Sequence, residues 1–184
     1  MNLPKAVLLD RDGVINFDSP DYILRPEQWL PIPGSLQAIA RLSRAGIRVA
    51  ICSNQSALGR GMLDQQVFQT IHAKMLLAIE EAGGEIAHVA YCPHAPDDGC
   101  ICRKPLPAMI DESLQVLQVS AAEAIFIGDS IRDVQAAHAA GVAAMLVQSG
   151  YGDAAAILEK SQALMPDIRC YDDLAQAVDA LLAD

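Results

Sequence analysis

Apolar residues recur along this chain with two spacings. Short runs of four to six, at residues 6–9, 47–52, 86–91, 124–127 and 143–147, read as strands. Longer segments carry apolar positions three to four apart and predict helices over 35–45, 107–117 and 131–140. The Pro33-Gly34 turn precedes the first of these, and Gly141 ends the last. Asp64 has the side chain for an N-cap, after which Val67, Ile71, Met75 and Ile79 share one helical face. Ser120 and Glu123 form a capping-box pattern, although the chain turns to strand soon afterwards. Two further helical stretches are expected near 153–160 and 172–182.

Strand and helix alternating throughout predict an α/β fold, a doubly wound and mostly parallel sheet covered on both faces, in a single domain over 1–184. Ligands of such sheets sit beyond the C-terminal ends of the strands. Asp10, Ser53, Cys92 and Gly128-Asp129 each close an apolar run. The polar groups that need explaining therefore fall at one edge.

Composition narrows the classes of partner. A content of 52% hydrophobic and 20% charged residues in 184 is ordinary for a soluble chain with a sizeable core. The formal net charge of −10 argues against nucleic acid and against anionic membrane surfaces. Local basic residues would have to attract any anionic ligand. The apolar stretch near the start, Ala6 to Leu9, is too short for a signal peptide, and no run approaches a membrane span. A cytoplasmic location is expected. Thiols stay reduced there, which directs the five cysteines to metal or core positions rather than disulfides.

In Leu8-Leu9-Asp10-Arg11-Asp12-Gly13 two carboxylates stand two residues apart, on one face of an extended chain. A turn at Gly13 would aim both at one ligand. Asp129 ends another strand in Phe126-Ile127-Gly128-Asp129-Ser130. Three converging carboxylates repel one another, and a hard divalent cation such as magnesium resolves the conflict. Taken alone, Asp10 and Asp12 fit turn aspartates about equally well. The second strand end tips the reading toward a site. Asp133 suits either a partner for a lysine or a solvated helix position.

Residues 92–102 read Cys-Pro-His-Ala-Pro-Asp-Asp-Gly-Cys-Ile-Cys. Cys92, His94, Cys100 and Cys102 supply three thiolates and an imidazole, a tetrahedral zinc set. The spacings are tighter than in zinc fingers, but Pro-Asp-Asp-Gly can turn the chain back on itself. Four protein ligands leave no open position, so the expected zinc-binding loop is structural and would position Arg103 and Lys104. Cys52 reads as a buried small residue, Cys170 receives no role, and His72, His88 and His138 read as structural or exposed.

The segments LLDRDGVIN (8–16), Ser53-Asn54, Lys104 and GDSIRD (128–133) resemble, in order, the motifs of the haloacid dehalogenase superfamily over most of the chain. The resemblance implies a Rossmann-like fold in which Asp10 is the nucleophile and forms an aspartyl-phosphate. It makes Asp12 the general acid and base, with Ser53 binding the transferring phosphoryl group and Lys104 stabilising charge. Magnesium would be held by Asp10, the backbone carbonyl of Asp12, and Asp129. An aspartate at position 12 favours phosphoryl transfer over dehalogenation, because an alkoxide leaving group needs a proton. A non-enzymatic zinc-bearing scaffold is disfavoured, since every expected catalytic residue is present.

The stretches DRDG, SNQSALGRG and CPHAPDDGCICRKP narrow the likeness to a small group without a large cap domain. That group contains D-glycero-D-manno-heptose 1,7-bisphosphate phosphatases and histidinol-phosphatases. The expected activity is removal of the 7-phosphate from the heptose bisphosphate, a step in making nucleotide-heptose precursors of lipopolysaccharide. Histidinol-phosphatase of histidine biosynthesis is the alternative. Asn16, Asp18, Ser19 and Asp21 suit sugar hydroxyls. Asn54, Gln55, Ser56, Arg60 and Arg103 are further substrate candidates, the two arginines for phosphate or sugar contacts. Ser53 stands where the group commonly has threonine and keeps the hydroxyl, while Ala57-Leu58-Gly59 departs from the usual Gly-Ile-Ala. A small phosphorylated substrate and a monomer are expected.

Overall fold

The first strand, β1 (Ala6–Leu9), is buried along its whole length and so needs a strand on either side. In the computed structural model, which describes residues 3–183, those neighbours are β2 (Arg48–Asn54) and β4 (Ala124–Gly128). Beyond β2 lies β3 (His88–Cys92); beyond β4 lie β5 (Ala143–Val147) and the edge strand β6 (Arg169–Tyr171). All pairings within this sheet are parallel, in the order β3-β2-β1-β4-β5-β6. The chain winds outward from β1 to β3, then returns to β4 on the other side. The crevice beyond the ends of β1 and β4 is therefore the switch point where such sheets bind ligands.

Alternation along the strands sorts the core into two layers. Val7, Leu9, Val49 and Ile51 pack with α1 (Ser35–Arg44), α3 (Gln65–Glu81) and α7 (Leu174–Ala183) through Ile39, Leu42, Phe68, Ile71, Met75 and Leu181. Ala6, Leu8, Ala50, Cys52 and Phe126 face α4 (Ala108–Leu117) and α5 (Ile131–Ala139). On that face α6 (Ala154–Leu164) adds Ile157 and Leu158 around Leu146.

Several boundaries differ from the expectations. β2 runs on to Asn54 because Ser53 and Asn54 still pair with Tyr91 and Cys92. β3 starts at His88 rather than at Ile86. The short helix α2 (Ser56–Gly59) and strand β6 were not foreseen; β6 has only three residues, all half-buried, too few for a periodic signal. Asp64 does cap α3, accepting from the N–H groups of Gln66 at 2.7 Å and Val67 at 3.4 Å. Phe68, not Val67, is the first buried residue of that face. The Ser120–Glu123 box opens only a 3-10 turn.

Candidate active site

Asp10 follows β1 directly and Asp129 follows β4 directly, so parallel pairing brings them to one crevice. Gly13 and Gly150 enclose Asp129. A Cβ on Gly13 would lie 2.6 Å from Asp129 Oδ2, and one on Gly150 only 1.9 Å from it. Gly13 also has φ of +80°, which disfavours any side chain. Burial, with Asp133 and Asp10 close by, pushes the Asp129 carboxyl up to about 9. Burial also raises Asp10 to about 7, against the pull of Lys104. Such groups share a site comfortably only with a proton or a cation. Carboxylate oxygens of Asp10, Asp129 and Asp133 lie within 4.8 Å of one another, a donor set that fits a hard divalent ion.

Lys104 is 1% exposed, and its ammonium meets three acceptors: Asp133 Oδ1 at 2.6 Å, the Cys52 carbonyl at 2.8 Å and Asp10 Oδ2 at 2.9 Å. Burial alone would discharge this lysine. The charges of Asp10 and Asp133 win, and hold its pKa above the usual lysine value. Burial likewise opposes charge on Asp133, but Lys104 and the Ser130 donors hold it below the usual carboxylate range. Asp133 is therefore the lysine's partner and not a solvated helix residue. Its other oxygen accepts from Ser130 N at 3.0 Å and Ser130 Oγ at 2.7 Å, which caps α5. Gly128 is needed beside it, because a Cβ there would come within 2.4 Å of Asp133 Cβ. Asn54 fixes the lysine's backbone, donating to the Lys104 carbonyl and accepting from the Lys104 N–H, both at 3.0 Å.

Asp12 sits in a cradle of donors. Arg11 reaches it with Nε at 3.0 Å and with Nη2 at 2.8 Å from each oxygen. Asn16 Nδ2 donates to Oδ1 and Gln55 Nε2 to Oδ2, both at 2.9 Å. Burial opposes ionisation here too, but the Arg11 charge and these bonds together hold the carboxyl below its ordinary range. Arg11, buried beside this carboxylate, is a candidate site residue that the sequence pattern did not single out.

The cavity over these groups measures about 270 Å³ and is also lined by Asp18, Asn54, Arg132, Tyr151 and Ile157. Arg132 and Tyr151 were not foreseen either; the GDSIRD segment held the signal for the first. Among the substrate candidates, Asp18 and Asn54 reach this cavity. Asn16 and Gln55 are buried and turned to Asp12 instead. Ser53 is buried and accepts from Gln55. Ser19 and Asp21 are tied to each other and to Asp18, Ser19 N donating to Asp18 Oδ1 at 2.7 Å and Asp21 N to Ser19 Oγ at 3.2 Å. Ser56 is buried at the start of α2, and the exposed Arg60 caps its other end, outside the cavity walls. Arg103 donates to the His94 carbonyl at 3.3 Å and lines a neighbouring cavity of about 310 Å³, shared with Arg132.

The cysteine–histidine loop closes as its spacing predicts. Cys92 Sγ lies 3.1 Å from Cys102 Sγ, 3.6 Å from Cys100 Sγ and 3.6 Å from His94 Nδ1. His94 Nδ1 and Cys102 Sγ are 3.3 Å apart. Edges of this size suit four ligands about 2.0–2.3 Å from one tetrahedral ion. Cys52 is buried, as expected, and Cys170 lies in β6.

Four likenesses bear on this geometry. Residues 5–141 match the model of the haloacid dehalogenase-like hydrolases. The D-glycero-beta-D-manno-heptose-1,7-bisphosphate 7-phosphatase of Pseudomonas aeruginosa is 44% identical over 176 residues, covering 96% of this chain and 97% of that protein. The protein of the same name from Bordetella bronchiseptica is 44% identical over 181 residues, 98% of this chain and 99% of its own. The crystal structure of the D,D-heptose 1,7-bisphosphate phosphatase from B. bronchiseptica, complexed with magnesium and phosphate, superposes with a TM-score of 0.91 over 97% of this chain and 98% of that one. With the strand-end aspartates and the buried lysine in the order its family motifs require, the chain belongs to the haloacid dehalogenase-like hydrolases.

Proposed function

We propose that the chain is a magnesium-dependent phosphatase that removes the 7-phosphate of D-glycero-D-manno-heptose 1,7-bisphosphate through an aspartyl-phosphate on Asp10. The β anomer is the form named for the relatives that are 44% identical. The observation that carries the chemistry is Lys104, fully buried, bridging Asp10 and Asp133 while Asp12 stands two residues beyond Asp10. Asp10 attacks phosphorus, and the bond to the sugar oxygen breaks as Asp12 gives that oxygen a proton. Asp12 then takes a proton from the water that cleaves the aspartyl-phosphate. Its resting form, ionised by Arg11, is the base of this second step; it must take up a proton before it can serve the first. Lys104 keeps Asp10 oriented and offsets charge on the phosphoryl group, and Ser53 donates to a phosphoryl oxygen.

Asp10, the backbone carbonyl of Asp12, and Asp129 would hold magnesium, which when bound shields the repulsion between carboxylates and phosphate. Cys92, His94, Cys100 and Cys102 would hold a structural zinc that fixes the approach to Arg103 and Lys104. The enzyme acts as a cytoplasmic monomer of one domain on a small phosphorylated substrate. No helix among the described residues is long and apolar enough to cross a membrane.

The reading is tested with Asp10→Asn, which should lose activity on the order of 10⁴-fold. Normal turnover by this variant would rule out the covalent route. The substrate is tested by kcat/KM on the heptose bisphosphate against histidinol phosphate. A preference for histidinol phosphate would overturn the assignment.

A further inference from the structure

Gln55 lies between the end of β2 and the start of α2 and is 5% exposed. Its backbone is anchored on both sides. Its N–H donates to the Cys92 carbonyl at 2.8 Å, and its carbonyl accepts from Leu58 N at 3.2 Å. The side-chain amide has two hydrogens, and both are committed. Nε2 donates to Asp12 Oδ2 at 2.9 Å and to Ser53 Oγ at 2.8 Å. The opposite amide orientation would set a carbonyl oxygen against a carboxylate, so the network leaves one choice. Because the Ser53 oxygen accepts from Gln55, its own O–H is free to donate elsewhere. Asn16 and Arg11 hold Asp12 from the other side, and the Asn16 carbonyl accepts from the Trp29 indole N–H at 3.0 Å.

We propose that Gln55 is a positioning residue for the hydrolysis: one amide group sets the Asp12 carboxylate and, by donating to the Ser53 oxygen, commits the Ser53 hydroxyl to act as a donor. Gln55 makes no contact with substrate in this scheme. It joins a group in the loop after β1 to one on β2, so that acid and phosphoryl donor keep a fixed spacing while the phosphoryl group passes from the sugar oxygen to Asp10. The inference rests on the acid role of Asp12 proposed above.

The test uses the full chain loaded with magnesium, with Gln55→Met and Gln55→Glu. Gln55→Met removes both donors at nearly constant volume, Gln55→Glu replaces them with a carboxyl group set against Asp12, and having two variants guards against one that fails to fold. Each is assayed for release of the leaving group in single turnovers, on the sugar bisphosphate and on p-nitrophenyl phosphate. The second substrate has a leaving group that needs little protonation. The rate on the sugar substrate should fall by about 10²-fold, as misplacement of a catalytic group costs. KM should change little, and the loss on the aryl substrate should be clearly smaller. A rise in KM without loss of rate would make Gln55 a substrate ligand and overturn the inference. Equal losses on both substrates by the Gln55 variants would do the same, provided Asp12→Asn shows the leaving-group dependence. If Asp12→Asn itself loses equally on both, the acid role fails, and the inference built on it falls with it.

Discussion

At the scale of residues, the site balances buried charges against each other. Lys104 shows this most directly, since it stands between Asp10 and Asp133. Removing one member of a buried ion pair leaves the others uncompensated, at a cost of about 3–5 kcal/mol. Lys104→Met should therefore lower the urea midpoint by a corresponding amount as well as abolish turnover. A catalytic defect without a stability defect would contradict this account of its burial. Asp18 offers a pH effect. Burial, and then the Asp12 charge, raise its carboxyl to about 6, so it is neutral below that pH and anionic above it. An anion on the cavity wall repels a phosphorylated substrate. KM should thus climb as pH rises through 6, more steeply than in Asp18→Asn; identical KM profiles for the two proteins would remove Asp18 from substrate binding.

At the scale of elements, strand ends deliver the chemistry and tight backbone contacts shape it. The loop after β5 brings Gly150 against Asp129 so closely that a methyl group would displace the carboxylate. Gly150→Ala should weaken magnesium binding by about tenfold, the lower end of losses seen when a ligand's support is disturbed. Isothermal titration with magnesium measures this directly, and unchanged affinity would show that Asp129 is not constrained there. The start of α5 does double service, because Asp133 caps the helix and pairs with Lys104. A capping box was legible in principle, since Ser130 and Asp133 have the right spacing. Only the sheet shows what else that carboxylate reaches.

At the scale of the molecule, the helices bury both faces of the sheet and leave its C-terminal edge for loops. The cysteine–histidine loop leaves that edge from β3 and returns to it at Lys104. Cys100→Ser should reduce zinc content below one per chain, lower Tm by several degrees and reduce kcat through a less fixed Lys104. Metal analysis beside calorimetry checks this; a wild-type protein without stoichiometric zinc would refute it.

The sequence by itself determined the α/β alternation, the aspartates at the ends of β1 and β4, and the four-ligand loop. Each depends on local spacing: apolar periods, residues two apart on a strand, and ligands within eleven positions. Tertiary structure decided which of Asn16, Asp18, Asn54 and Gln55 face the cavity and which face Asp12, because side-chain contacts at strand ends and loops depend on neighbours distant in sequence. It decided also that Asp133 is paired and that Arg11 holds Asp12 charged. Those are consequences of burial, where the partner of a charge is whatever the fold brings within reach.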